Sequence, residues 1–368
     1  MMLRREQTTH HRQVGELYIV TDDPARYDVF VQGTVFLDIV MTGLESAPTT
    51  GTEIFAEGMG SCPGGVANFA IAASRLGLRS GLAAVFGDDV YADFCWRTLA
   101  DQEGVDLSHS RRIGHWHSPV TVSMSIDRDR AMVTHAHEAP GDPSKLVGPG
   151  LLTRSAIVPV AEELPDWTIE VRESGALLFG DVGWDPTDTW SPAVLDVLDG
   201  FHAFTPNAGE AMAYTRTDTP KAALHKLAER VPLAVVTNGS DGVLAIDSTT
   251  GEEEEVPALP VRSYDPTGAG DVFLASLVLG TLRGWPLAHR LAFGNLCAGL
   301  SVQHFGGSLA APGWGDIIDW VRDHSRHRPG DVDPEVLRHY TFIGDVLPAG
   351  PVPIVRRAGA TIARLSDA

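Results

Sequence analysis

Cysteine is scarce in this chain. Three occur in 368 residues, Cys62, Cys95 and Cys297, with no C-x-x-C spacing. That argues against a disulfide scaffold or a cysteine-built metal site and fits reduced thiols, each acting as a small buried apolar residue. Positive charge is also short. The 28 Lys and Arg face 48 Asp and Glu, a formal net charge of −20. A surface of that sign repels polyphosphate backbones, which argues against nucleic acid as a partner. A local anion site remains open, because backbone amides hold phosphate without net positive charge. No apolar run approaches the ~18 residues of a membrane span. The N-terminal MMLRREQTTHHRQ has no apolar core of the kind a secretion signal carries. The expectation is a soluble cytoplasmic protein without a membrane partner.

What is present is small residues and alternating elements. With 43% hydrophobic content, 38 Gly and 24 Pro, the chain suits a compact enzyme rich in tight turns. An apolar strand is expected from Val29 to Val35, ending near Asp38. Turn, short strand and turn follow over 46–58. From Val66 small and apolar residues recur at helical spacing, and Gly77 stops the run as a C-cap. Further strands are expected at 81–87, 176–183, 201–207 and 233–239. Helices are expected at 91–104, at two places after 207, at 268–284 and at 291–307. Residues 118–135 alternate as a hairpin. Strands that alternate with helices, several of them apolar throughout, imply an α/β fold with a mostly parallel central sheet covered on both faces. The β-rich pieces at about 38–60 and 118–135 do not fit that sheet and are expected to pair as a small accessory sheet. Residues 1–27 read as a leader, 28–325 as one domain, and 326–368 as a weakly structured C-terminal extension.

The sharpest local feature is Asp265-Pro-Thr-Gly-Ala-Gly-Asp271, three small residues directly before a helix. Amides at a helix start, aided by the helix dipole, make a nest for an anion. Gly268 and Gly270 permit close approach of a phosphate to the backbone. Asp271, in the first helical turn, would stand ionised beside that anion, where a general base belongs. Taken alone, the segment reads equally as a capping Asp on a glycine turn. It is not a Walker A loop, since no Gly-Lys-Ser/Thr follows, nor a Rossmann fingerprint, since the third Gly is missing.

Four other segments change that reading. Pro63-Gly64-Gly65-Val66-Ala67-Asn68 is followed by FAIAASRLG. Gly87-Asp88-Asp89 comes next, then Thr205-Pro-Asn207-Ala-Gly-Glu210, then Val236-Thr-Asn-Gly239-Ser-Asp-Gly242. Together with DPTGAGDVFLASLVLG, in this order over about residues 29–313, they resemble the ribokinase-like (PfkB) carbohydrate kinases.

The resemblance implies a three-layer α/β/α ribokinase-like fold with a small β lid. It also implies ATP-dependent transfer of a phosphoryl group to a hydroxyl of a small sugar, ribose- or ketohexose-like. Asp271 would be the base, and Gly268, Ala269 and Gly270 the anion hole. Asn207 and Glu210 would order Mg²⁺ through water, being hard oxygen ligands. Thr237, Gly239 and Gly242 would lie along the ATP phosphates and ribose, and Asn295 near the adenine. Asp38, Gly64, Gly65, Asn68 and Asp181 would contact the acceptor. Asp265, Thr267, Ser301, His304 and Gly306 fall where many relatives hold a monovalent cation such as K⁺. The lid would exclude water, complete the sugar pocket and offer a homodimer contact. An Asp-x-Asn-x-Arg stretch common in fructokinase-like members is absent, since 181–190 contains no Arg.

Two other functions stay open. A nucleoside kinase of the same fold would need an aromatic clamp from Phe36, Phe55 or Trp116. A catalytically idle sugar sensor would not need Asp271. His115, His117, His135 and His137 read as a polar lid surface, and Glu252–Glu255 as a solvated acidic turn.

Overall fold

The computed structural model describes residues 26–126, 129–183, 185, 187–324 and 334–348. The strands among the described residues are β1 Val29–Gln32, β2 Val35–Leu44, β3 Gly58–Gly65, β4 Ser80–Ala83, β5 Val85–Phe86, β6 Arg111–Arg112, β7 Val120–Ile126, β8 Asp129–His135, β9 Ser155–Pro159, β10 Leu177–Asp181, β11 Ala203–Phe204, β12 Leu233–Thr237, β13 Val243–Asp247 and β14 Glu252–Val256. The α-helices among the same residues are α1 Ala67–Arg75, α2 Val90–Arg97, α3 Asp166–Glu173, α4 Ala193–Asp196, α5 Ala208–Thr215, α6 Pro220–Ala228, α7 Ala269–Leu282, α8 Leu287–Ser301, α9 Trp314–His324, α10 Pro334–Arg338 and α11 Ile343–Val346.

Eight strands form the central sheet in the order β14-β13-β12-β11-β10-β9-β1-β4. Six of them run parallel, from β12 to β4, and β13 and β14 turn back antiparallel. The parallel strands are apolar on both faces because helices cover both. On one side Val29, Val31 and Val235 pack with α1, α7 and α8. On the other, Phe30, Val158 and Leu178 pack with Trp167 of α3, Tyr214 of α5 and Leu224 of α6. This is the three-layer arrangement expected.

The accessory sheet is also present, ordered β3-β2-β7-β8. The hairpin of β7 and β8 lies where expected, and β2 joins β7 in parallel. Asp38, however, is not at a strand end. The apolar run breaks at Gly33, where a Cβ would stand 2.5 Å from Val66 Cγ1, and the chain leaves the central sheet there. Asp38 lies inside the ten-residue β2, opposite Cys62 of β3. The strand expected within 46–58 is displaced onto Gly58–Gly65, which includes the glycine pair. Strand 81–87 is split between two sheets. Helix 291–307 stops at Ser301.

Three further corrections concern polarity and ends. Glu252–Glu255 form the edge strand β14, not a turn, since backbone pairing with β13 asks nothing of the outward side chains. Of the leader, residues 1–25 fall outside the described residues, while Tyr27 is already core and bridges to Thr153. After α9 the chain is not merely weakly structured. Tyr340 and Phe342, between α10 and α11, and Ile343, the first residue of α11, are all buried in the main core.

Candidate functional site

Ligand sites of parallel sheets form beyond the carboxyl ends of the strands. Here β10 ends at Asp181, β11 runs into Asn207 and β12 ends at Thr237, with Asn207 bridging to Thr237. The start of α7 faces the same edge. Gly268 is its N-cap in a left-handed conformation, φ +77°. The Val272 amide makes the first helical bond, to Gly268 O, so the Gly270 and Asp271 amides lie ahead of it. A Cβ on Gly270 would meet nothing within 4 Å, so the turn opens onto space that a ligand can occupy.

Asn68, in the first turn of α1, reaches that turn. Its Nδ2 donates to Asp271 Oδ2 at 2.7 Å. The amide orientation follows from the carboxylate, which accepts and cannot donate when ionised. Asn68 Oδ1, buried with the rest of the residue, has no hydrogen-bond partner among the described residues. Such an atom costs free energy unless a ligand donor completes it. Gly307 closes the same corner: its φ is +48°, and a Cβ there would stand 3.2 Å from Cys62 Sγ and 3.8 Å from Asn68 Oδ1. The next residue, Ser308, donates through Oγ to Pro63 O. Gly307 and Ser308 were not singled out from sequence, although a Gly-Gly pair needing close approach was the available signal.

On the acceptor side the Asp38 carboxylate lies over Gly64. A Cβ on Gly64 would fall 1.9 Å from Asp38 Oδ2, so glycine is what lets the carboxylate keep this place. Gly65 is left-handed at φ +62°, its Cα against Thr34 O. Arg75 braces this region from below. It makes a two-bond pair with Glu103 and donates to Leu309 O and Ala311 O, tying α1 to the turn that carries Gly307. Arg75 was not singled out from sequence.

Asn207 and Glu210 form a reciprocal capping box: Asn207 Oδ1 accepts from Glu210 N, and Glu210 Oε2 accepts from Asn207 N. Burial raises the Glu210 carboxyl, against the opposing pull of those bonds. Asp181 is pushed well above the usual carboxylate range, first by burial and then by the charges of Asp271 and Glu210. Three carboxylates thus share one field, a donor set that fits a hard divalent cation. Among the described residues no three His, Cys, Asp or Glu side chains sit close enough to hold a metal directly.

Around the β12 turn, Gly242 has φ +104°, and a Cβ would stand 2.1 Å from Val256 O. Gly239 is left-handed with open space around it. Asn295 is buried, and its Nδ2 donates to Val256 O and Pro257 O, so it holds the loop after β14. Asp265 joins two loops, accepting from Thr267 N and Gly306 N. Ser301 bonds back to Ala298 O, and His304 N donates to Ser301 O. Asp89, from the Gly-Asp-Asp segment, caps α2 through Ala92 N and holds the Ser118 amide at the foot of β7.

The family model that matches this chain, pfkB family carbohydrate kinase, covers residues 31–313. The chain is 26% identical to a ribokinase of Bacillus subtilis over 77% of its own length and 96% of that protein. It is 30% identical to a fructokinase of Klebsiella pneumoniae over 68% of its length and 89% of that protein. Among solved structures, a proposed ribokinase II from E. coli in complex with ATP and Mg²⁺ superposes with a TM-score of 0.70 at 21% identity, covering 81% of this chain and 99% of that one. That likeness establishes the ribokinase-like fold. With the family match over most of its length, the chain belongs to the pfkB family of carbohydrate kinases, phosphotransferases that act on a hydroxyl group.

Proposed function

We propose that this protein transfers the γ-phosphoryl group of ATP to a hydroxyl of a small sugar, ribose- or ketohexose-like, in the cytoplasm. The observation that carries this reading is the Asn68–Asp271 hydrogen bond at the mouth of the Gly268–Gly270 turn. It joins α1, the acceptor-side helix in this reading, to α7, the anion-side helix, at the carboxylate read as the base.

In this reading Asp271 accepts the proton of the attacking hydroxyl, and the Gly268, Ala269 and Gly270 backbone faces the transferring group. Asp38, Gly64, Gly65 and Asn68 hold the sugar, with Asn68 Oδ1 accepting from a second hydroxyl, and Asp181 closes that side. Thr237, Gly239, Gly242 and Asn295 frame the nucleotide. Asn207 and Glu210 hold hydrated Mg²⁺, which when bound neutralises phosphate charge. A monovalent cation, K⁺ by the resemblance, sits among Asp265, Thr267, Ser301, His304 and Gly306. A homodimer through the lid belongs to the same reading.

Sugar is favoured over nucleoside by the lid aromatics. Trp116 is buried, with its indole N–H donating to Glu138 O, and Phe55 is 83% exposed. Phe36 alone lies against the glycine pair, 2.8 Å from where a Gly65 Cβ would be. The test is an ADP-release screen over sugars and nucleosides with Asp271→Asn as control. Turnover with a pentose or ketohexose, lost by about three orders of magnitude or more in the variant while nucleotide still binds, is the expected result. Full activity in Asp271→Asn would sink the assignment.

A further inference from the structure

We infer that the C-terminal segment around Tyr340 is a positioning element of the nucleotide site. The inference rests on the kinase reading above and concerns a part of the chain beyond residue 313, where the family match ends.

The contact run is continuous. The Tyr340 hydroxyl donates to Pro257 O at 2.9 Å, and Asn295 Nδ2 donates to the same oxygen at 3.1 Å. Tyr340 is 2% exposed, so its hydroxyl is completed within the protein and not by bulk water. Two further contacts fix it there. Phe342 stacks on His289 of α8, with ring centroids 3.8 Å apart and planes 6° off parallel, and Ile343 is fully buried. Trp320 of α9 meets the Tyr340 ring edge-on at 5.9 Å.

Pro257 in turn sets the β12 turn. Val256 O and Ala258 N press on Gly242 so closely that a Cβ would stand 2.1 and 2.7 Å from them. With backbone against backbone, no side chain can absorb a shift of that loop. Gly242 O accepts from Asn238 N at 2.7 Å, and Asn238 follows Thr237 at the carboxyl end of β12. A hydroxyl on the C-terminal segment therefore fixes, through Pro257 and Gly242, the turn that faces the nucleotide. Tyr340 bonds none of the groups assigned to acceptor or base. Its loss should act on nucleotide affinity and not on the chemical step.

Tyr340→Phe in the full chain keeps the ring and removes only the hydroxyl. The expected outcome is an ATP KM and a calorimetric Kd for ADP raised about three- to tenfold, with kcat and acceptor KM unchanged. Phe342→Leu, which loosens the same segment at a different contact, should raise the same two constants. Wild-type nucleotide affinity in Tyr340→Phe overturns this inference alone. So does a lower kcat and a higher acceptor KM in step with the rise in ATP KM and a drop in Tm, which would make Tyr340 a purely structural residue. A wild-type chain that binds neither ATP nor ADP overturns the kinase reading and this inference with it.

Discussion

At the scale of the residue, Asn68 does two jobs with one amide. Its N–H side donates to the Asp271 carboxylate, and its carbonyl side, without a hydrogen-bond partner among the described residues, would accept from the sugar in the proposed reading. A hydrogen bond to a carboxylate lowers its pKa, so removing the bond raises it. Asn68→Ala should therefore move the acid limb of kcat/KM to higher pH, besides cutting kcat by about 10- to 100-fold. A pH profile with an unmoved acid limb would show that Asn68 does not tune the base. Asp181 gives a second test, read in stability. Its folded-state pKa lies above its unfolded value, so folding binds a proton. That costs nothing below both pKa values. The penalty grows as pH rises through the window between them and stays above it. In Asp181→Asn the penalty is gone. Without nucleotide or Mg²⁺, the Tm of the variant minus that of the wild type should be more positive at pH 8 than at pH 5. An equal difference at the two pH values would remove Asp181 from the shared field. The histidines carry no such argument: His117, His135 and His137 form an edge-to-face row on the exposed lid rim, as a polar surface would.

At the scale of the element, the glycine at 64 separates the two halves of the site. Its Cα lies under the Asp38 carboxylate, a side-chain end that can swing aside. Gly64→Ala should leave the fold and the ATP KM near wild type and raise the acceptor KM more than ~10-fold, since Asp38 must leave its place. Equal changes in both KM values would mean that Asp38 does not serve the acceptor. Arg75 differs because it is structural and sealed in. Arg75→Met would leave Glu103 buried without its partner and two carbonyls without a donor, a loss of ~3–5 kcal/mol measurable by urea unfolding. The same contrast explains what the sequence could disclose. The glycine turn that opens α7 was legible because its residues, Gly268 to Asp271, are contiguous at a helix start. Asp38 was legible as a type but not in its place. The break at Gly33 is dictated by Val66, far along the chain, and no local periodicity reports such a contact. β14 was missed because four glutamates look like solvent-facing turn. On an edge strand that charge instead discourages pairing with another chain. Tyr340 escaped notice because α10 has five residues and α11 four, too few for any helical period to emerge.

At the scale of the whole molecule, the lid has two unlike faces. Cross-strand partners share a face of a sheet. On one face Asp38, Val40, Thr121 and Ser123 are buried toward the site. On the other, Met41 stands opposite Met59 and Met124, and Ile39 is in register with Val122, which faces Val133. That face is apolar and only partly covered, with Met59 39% and Val133 63% exposed. A second copy of the same lid would bury it, and a self-complementary contact of this kind closes as a two-fold dimer. The charge of −20 on each chain works against that association through long-range repulsion, which salt screens. Salt weakens the repulsion and leaves the apolar contact in place, so the direction of the net change is fixed. Sedimentation velocity at micromolar protein should show a dimer fraction that rises between about 50 and 500 mM NaCl as the Debye length shrinks. Met124→Asp, which places a carboxylate in the middle of the apolar face, should return the chain to monomer at every salt concentration while leaving Tm near wild type. If dimer formed equally in Met124→Asp, the contact would lie elsewhere. A wild-type chain monomeric throughout that range would mean that this face of the lid is not a contact between copies of the chain.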